Sequence, residues 1–149
     1  MISIALVDDE QSILTSVSLA LQAEGYQVDI FHNGLEALDA LEIKNYDLGL
    51  FDIKMPKMDG NELLNKVRNS KNIDLREMPI IFLTSKDQEQ DEIIGLRMGA
   101  ADYIKKPFSQ KLLNERIRTV LRIYKNRKVE ASSSSEKNTN WKKGSLELD

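Results

Sequence analysis

Reactive side chains follow several short apolar runs of this sequence. Asp8 and Asp9 come directly after the run IALV, and Asp52 comes directly after LGLF. Thr84 follows IIFL, and Lys105 follows ADYI. Three carboxylates, one hydroxyl and one ammonium group therefore occupy equivalent positions relative to the apolar runs.

These groups together indicate phosphoryl transfer to a carboxylate. Three carboxylates held a few Å apart repel one another, so a divalent cation is needed to keep them ionised. Ligands that are all oxygen favour Mg²⁺, and a lysine and a hydroxyl can hold the remaining phosphoryl oxygens. We take Asp52 as the nucleophile. Taken singly, Asp9 could be a helix N-cap and Lys105 a solvated surface charge.

The elements that must position these groups follow from the hydrophobic pattern. Short apolar runs alternate with segments of helical period, which predicts five β-α units and a parallel sheet with helices on both faces. Ligands of such sheets bind at the carboxyl ends of the strands, where the reactive groups lie. The fold class is α/β, a single doubly wound (βα)5 sheet. The predicted strands are residues 2–7, 26–31, 47–51, 79–83 and 101–104. The predicted helices are residues 12–24, 34–44, 60–69, 88–98 and 109–125.

Composition excludes several classes of protein. The chain has no cysteine, which excludes disulfides, thiolate zinc sites and cysteine nucleophiles, and permits a reducing cytoplasm. No apolar run reaches the roughly 18 residues of a membrane span, and the N-terminus lacks the basic region of a signal peptide. The net charge is −3 and the main body is acidic, so it is a poor nucleic-acid binder by itself.

The composition changes after Lys125. Residues 126–141 are polar and rich in serine, which predicts a flexible linker between a domain of residues 1–125 and a later segment. Residues 142–149 regain an apolar alternation, and we interpret them as the start of a second, truncated domain. A disordered tail is the alternative.

The motif set VDDE, FDIKMPKMDG, FLTSK and GAADYIKKPF resembles the receiver domain of two-component response regulators over residues 2–125. The resemblance implies a CheY-like, flavodoxin-like fold with strand order 2-1-3-4-5. It implies that Asp52 accepts a phosphoryl group from a sensor histidine kinase with Mg²⁺ as cofactor. Asp9 matches a direct metal ligand and Asp8 one that acts through water. The backbone carbonyl of Lys54 is a further candidate ligand.

Four more residues match positions of the same family. Thr84 matches the hydroxyl that moves toward the new phosphoryl group, and Tyr103 matches the aromatic side chain that rotates inward behind it. Lys105 is matched to the lysine that pairs with the phosphoryl group. The Lys106-Pro107 peptide bond is expected to be cis, as in the family.

The last predicted helix and the segment GSLELD are similar to the OmpR/PhoB type, with GSLELD as the first strand of its winged-helix DNA-binding domain. A narrower similarity is to ChvI-like regulators. The type implies a homodimer through its fourth helix, fifth strand and fifth helix. The candidate residues on this dimer face are Ile93, Leu96, Asp102, Leu112 and Arg116.

Three departures bear on that dimer. Glu92 stands where a basic residue is common, Leu112 stands where its acidic partner is common, and Ala101 replaces an acid. Asp102 and Arg116 still allow one charge pair. Surface pairs contribute only ~0–1 kcal/mol each, so apolar contacts could hold a dimer.

We expect a phosphorylation switch, not an enzyme of turnover, that controls dimerisation and the DNA binding of a full-length protein. This chain alone should not bind DNA specifically, and no membrane partner is expected. A receiver that acts by docking to another protein is the alternative. A phosphatase of the haloacid dehalogenase type would need an acid where Lys54 stands, and a pseudo-receiver would lack the complete acidic set.

Overall fold

The computed structural model describes residues 1–85 and 87–137. Five strands alternate with six helices in this part of the chain. The strands are β1 (Ser3–Val7), β2 (Gln27–Phe31), β3 (Leu48–Asp52), β4 (Ile80–Thr84) and β5 (Asp102–Lys105). The helices are α1 (Gln11–Ala23), α2 (Gly34–Leu41), α3 (Gly60–Arg68), α4 (Ile73–Arg76), α5 (Glu89–Arg97) and α6 (Gln110–Lys137).

The sheet confirms the predicted fold class and topology. All neighbouring strands are parallel, and their order is β2-β1-β3-β4-β5. The three strands with residues buried on both faces are β1, β3 and β4, and these lie inside the sheet. β2 and β5 are partly exposed and form the edges, as expected from their weaker apolar character.

Alternate residues of each inner strand supply two separate cores. In β1, Ile4 and Leu6 face one core, whereas Ala5 and Val7 face the other. The first core is covered by α1 and α6, and the second by α2 and α3 with Leu75 of α4. Helices therefore pack on both faces, because a strand buried on both sides needs a cover on each.

Helix α4 was not predicted. It is a single turn in the segment between α3 and β4. The Asn72 side chain caps its N-terminus by accepting hydrogen bonds from the backbone N–H groups of Asp74 and Leu75. The guanidinium of Arg68 then joins the segment to its surroundings, since it donates to the backbone carbonyls of Arg76, Met78 and Gly99 at 2.7–2.9 Å.

The predicted end of the last helix at residue 125 differs from the structure. Helix α6 continues to Lys137, so the first part of the predicted linker is helical. The polar residues there, such as Lys125 and Asn126, are compatible with a solvated helix. The predicted start of a second domain at 142–149 lies outside the described residues. Within residues 1–85 and 87–137, no helix has the length and apolar character needed to cross a membrane.

Candidate functional site

Three carboxylates meet at the carboxyl ends of the inner strands. Asp8 is the first residue beyond β1, and Asp52 is the last residue of β3. One side-chain oxygen from each of Asp8, Asp9 and Asp52 lies within 4.8 Å of the others. Asp8 and Asp52 are buried and Asp9 is exposed. We call these three residues the acidic cluster; its oxygen donors and its mutual repulsion fit a hard divalent cation such as Mg²⁺.

The ammonium group at the acidic cluster belongs to Lys106. Its Nζ lies 3.0 Å from Asp8 Oδ2 and 3.4 Å from Asp52 Oδ1, and its side chain is 14% exposed. It also lies 3.1 Å from Glu10 Oε1. The predicted lysine, Lys105, has an exposed side chain. The assignment of Lys105 is therefore corrected to Lys106.

The correction has a simple geometric reason. Lys105 is the last residue of β5 and pairs with Thr84, so its side chain must follow the alternation of the strand, opposite to the buried Ile104. Lys106 is the first residue beyond β5, as Asp8 is the first beyond β1. The backbone N–H of Lys106 still donates a hydrogen bond to the Thr84 carbonyl, but its side chain extends across the carboxyl ends of the strands to Asp8 and Asp52.

Burial dominates the electrostatics of the cluster. It raises the pKa of Asp52 to about 7, with a further contribution from the charge of Asp8, whereas Lys106 acts in the opposite direction. Burial likewise raises the pKa of Asp8. For Lys106, burial alone would lower the pKa, but the carboxylates of Asp8, Asp52 and Glu10 outweigh it and the pKa is raised. A bound divalent cation would favour the ionised form of both aspartates.

The loop after β3 is packed tightly under Asp52. A Cβ atom on Gly60 would lie 2.5 Å from the Asp52 carbonyl oxygen, so only glycine fits there. Asp59 caps α3 in a reciprocal capping box with Glu62. Met55 and Met58 of this loop are buried in the core; the sequence had not indicated that Gly60 supports the site.

Thr84 lies at the end of β4, and Tyr103 lies on the neighbouring strand β5. Thr84 is the residue after Leu83, the register partner of Asp52. Its buried hydroxyl donates a 2.7 Å hydrogen bond to the carboxylate of Glu92. Tyr103 is partly buried and packs against the core, and the Lys106-Pro107 bond is cis as expected. The role of Tyr103 as a moving side chain stays a prediction.

Lys54, in the loop after β3, also contacts α5. Lys54 Nζ lies 3.2 Å from Asp91 Oδ2; the use of the Lys54 backbone carbonyl as a metal ligand stays a prediction. Lys86 lies outside the described residues. The polar contact between Lys54 and Asp91 joins the loop after Asp52 to the first turn of α5.

The predicted dimer face was the fourth helix, fifth strand and fifth helix of the family. Because α4 is an additional helix, these elements are α5, β5 and α6 in the structure. Ile93, Leu96 and Leu112 are 40–45% exposed. Arg116 pairs with Asp102 of the same chain at 3.0 Å. The two residues of the expected charge pair thus contact each other within one chain, and a pair across a dimer stays a prediction.

Residues 4–118 match the response regulator receiver domain. The chain belongs to this family. Receiver domains are phosphoacceptor switches of two-component response regulators.

Two relatives are transcriptional regulators by name. The alkaline phosphatase synthesis transcriptional regulatory protein PhoP of Bacillus subtilis is 40% identical over 91% of this chain and 53% of PhoP. The transcriptional regulatory protein PcoR of Escherichia coli is 40% identical over 80% of this chain and 51% of PcoR. The chain spans about half the length of these relatives.

Solved structures show the same fold. A CheY-like receiver domain from Methanospirillum hungatei superposes with a TM-score of 0.79 at 34% identity, over 85% of this chain and 98% of the other. The chemotaxis protein CheY4 of Vibrio cholerae gives a TM-score of 0.75 at 32% identity, over 80% and 98% of the two chains.

Proposed function

We propose that Asp52 of this receiver domain accepts a phosphoryl group from a sensor histidine kinase in a Mg²⁺-dependent reaction. The observation that carries the proposal is that the buried Asp52 shares one cluster of carboxylates with Asp8 and Asp9 and lies 3.4 Å from the ammonium group of Lys106. A buried carboxylate with this set of neighbours is suited to nucleophilic attack on phosphorus.

The transfer itself requires few groups. A carboxylate oxygen of Asp52 forms a bond to phosphorus while the bond from phosphorus to the phosphohistidine nitrogen breaks, and the imidazole leaves with that electron pair. Mg²⁺, held by Asp9, Asp52, the Lys54 carbonyl and, through water, Asp8, would neutralise charge on the phosphoryl oxygens. Lys106 would pair with a phosphoryl oxygen, and the Thr84 hydroxyl would turn from Glu92 to donate a hydrogen bond to another.

The phosphorylated state would then control the rest of a longer protein. The names of PhoP and PcoR, and the half of their length that this chain spans, support a C-terminal DNA-binding domain after the receiver. In this proposal the phosphorylated domain dimerises through α5, β5 and α6 and so brings two DNA-binding domains together. The partners are a sensor histidine kinase, a second copy of the chain and DNA, and the compartment is the cytoplasm.

The chain would catalyse only its own phosphorylation and slow dephosphorylation. A phosphatase with an aspartate nucleophile needs an acid two residues after it, and here that residue is Lys54, paired with Asp91. A receiver that works by docking to another protein is the second candidate. The exposed apolar side chains of Ile93, Leu96 and Leu112 would serve either a dimer or such docking.

Intact-mass measurement after incubation with acetyl phosphate tests the proposal. Wild-type protein with Mg²⁺ should gain one phosphoryl group. EDTA and Asp52→Asn should each abolish the adduct, whereas Asp39→Asn, an exposed change on α2, should leave it intact. An equal adduct on Asp52→Asn would refute the assignment of Asp52.

A further inference from the structure

The hydrogen bond between Thr84 and Glu92 links the site to α5. Thr84 is fully buried at the end of β4, and Glu92, on the first half of α5, is 4% exposed. The Thr84 hydroxyl donates to Glu92 Oε2 at 2.7 Å. A glutamate is rarely buried unless its carboxylate is satisfied, so this contact is a reason for Glu92 to face inward.

The same contact corrects the interpretation of Glu92 as a surface residue that replaces a basic residue of the dimer face. Its position on the helix suggested a lost dimer pair, but its carboxylate faces β4 and not the outer surface. Ile93, the next residue, is 45% exposed. The buried and outer sides of α5 thus meet between two consecutive residues, Glu92 and Ile93.

The hydroxyl of Thr84 has one proton to donate. It can go to the Glu92 carboxylate or to a phosphoryl oxygen on Asp52, but not fully to both. Asp52 and Thr84 belong to adjacent strands and lie at the same edge of the sheet. Glu92 and a phosphoryl group at Asp52 are therefore competing acceptors for one donor.

We propose that Glu92 is a positioning residue that holds Thr84 toward α5 and away from Asp52 until a phosphoryl group displaces it. The proposal rests on the proposed function of Asp52. When Thr84 turns to the phosphoryl group, Glu92 is left as a buried carboxylate without this donor, which favours its movement toward solvent. Phosphorylation is thereby coupled to α5 through a side chain of the helix itself.

A second contact supports the same coupling. The Lys54–Asp91 ion pair joins the loop after Asp52 to the residue next to Glu92. The first half of α5 is therefore held both by the loop after β3 and by the end of β4. Displacement of Thr84 removes one of these two attachments.

The test measures binding of beryllofluoride, a noncovalent phosphoryl mimic, to the full chain with Mg²⁺ by fluorine NMR. Glu92→Met removes the acceptor and replaces it with an apolar side chain of similar length. Because the hydrogen bond to a charged acceptor is then absent before binding, beryllofluoride should bind about tenfold tighter than to wild type. Glu92→Gln, which keeps a neutral carbonyl acceptor, should give a smaller increase.

A double-mutant cycle separates positioning from a general effect on the fold. In a Thr84→Val background, Glu92→Met should leave the affinity unchanged, because the one donor for which Glu92 and the phosphoryl mimic compete is gone. Glu89→Met removes an exposed acid from the same turn of α5 and should not alter the affinity. Tightening by Glu92→Met of equal size with and without the Thr84 hydroxyl would overturn the proposal, as would no tightening in either Glu92 variant.

Failure of the underlying function gives a different result. If wild-type protein binds no beryllofluoride and forms no adduct on Asp52 with acetyl phosphate, the proposed function is wrong and the role of Glu92 falls with it. If wild-type protein binds the mimic but the Glu92 variants bind it equally well, only the positioning role is wrong. Urea unfolding of each variant confirms that a folded protein is compared in every case.

Discussion

Replacing Asp52 by Asn should stabilise the metal-free protein at neutral and alkaline pH. Asp52 is buried beside Asp8, and its pKa rises from 3.8 to about 7. Because the folded pKa is the higher one, the folded state binds the extra proton, and ionisation destabilises it as pH rises. Asn is a neutral side chain of the same shape and avoids that ionisation.

The size of the effect follows from the two pKa values. At pH 8, above both of them, the penalty for the ionised carboxylate is about 4 kcal/mol. At pH 5, only slightly above the unfolded pKa, it falls to about 2 kcal/mol, and it vanishes below about pH 4. This is a large fraction of the ~5–15 kcal/mol by which a domain of this kind is stable.

Urea unfolding in EDTA, from pH 4 to pH 8, measures this difference. The gain in the free energy of unfolding for Asp52→Asn should grow between pH 4 and pH 7 and then level off. Mg²⁺ should reduce the gain, because it stabilises the ionised wild-type site. Asp39→Asn, exposed on α2, should change stability by less than ~0.5 kcal/mol. A variant less stable than wild type at pH 8 in EDTA, or a gain independent of pH, would refute the reasoning.

Three further variants test individual parts of the site and fold. Lys106→Met should reduce the rate of phosphorylation by acetyl phosphate at least tenfold, whereas Lys105→Met should react like wild type. Gly60→Ala should cost about 1–3 kcal/mol of unfolding free energy and slow phosphorylation, because its Cβ displaces the Asp52 backbone. Arg68→Met removes three hydrogen bonds from a cationic donor and should cost about 2–4 kcal/mol, with little effect on the rate.

Exposed neighbours provide the controls for these variants. Lys66→Ala on α3 and Arg97→Met on α5 should change the free energy of unfolding by less than ~0.5 kcal/mol. If Lys105→Met reduced the rate of phosphorylation more than Lys106→Met does, the lysine would have been wrongly assigned. A Gly60→Ala protein with wild-type stability and rate, or an Arg68→Met protein as stable as wild type, would contradict the packing described for each.

The fold could be predicted because the pattern is strong at every inner strand. Ile4–Val7, Leu48–Phe51 and Ile80–Leu83 are continuously apolar, and a strand buried on both faces of a parallel sheet requires this. The same argument placed Asp8 and Asp52 at one edge, since the carboxyl ends of parallel strands coincide. Topology alone was sufficient to bring the acidic cluster together.

Side-chain direction at a strand end could not be predicted in the same way. Lys105 and Lys106 are adjacent and chemically identical, and alternation fixes direction only within a strand. Which of them turns over the edge depends on the backbone beyond Lys105. The inward direction of Glu92 could not be predicted for a similar reason. Its burial depends on the Thr84 hydroxyl across the helix–sheet contact and not on a local sequence pattern.

The most direct test of the central claim identifies the phosphorylated residue chemically. The full chain is phosphorylated with acetyl phosphate and Mg²⁺, reduced with borohydride, which converts an aspartyl phosphate to homoserine, and digested for peptide mass spectrometry. Homoserine at position 52, and not at Asp8 or Asp9, is the predicted result. Homoserine at Asp8 or Asp9, or reduction that leaves Asp52 unchanged in a phosphorylated protein, would contradict the account.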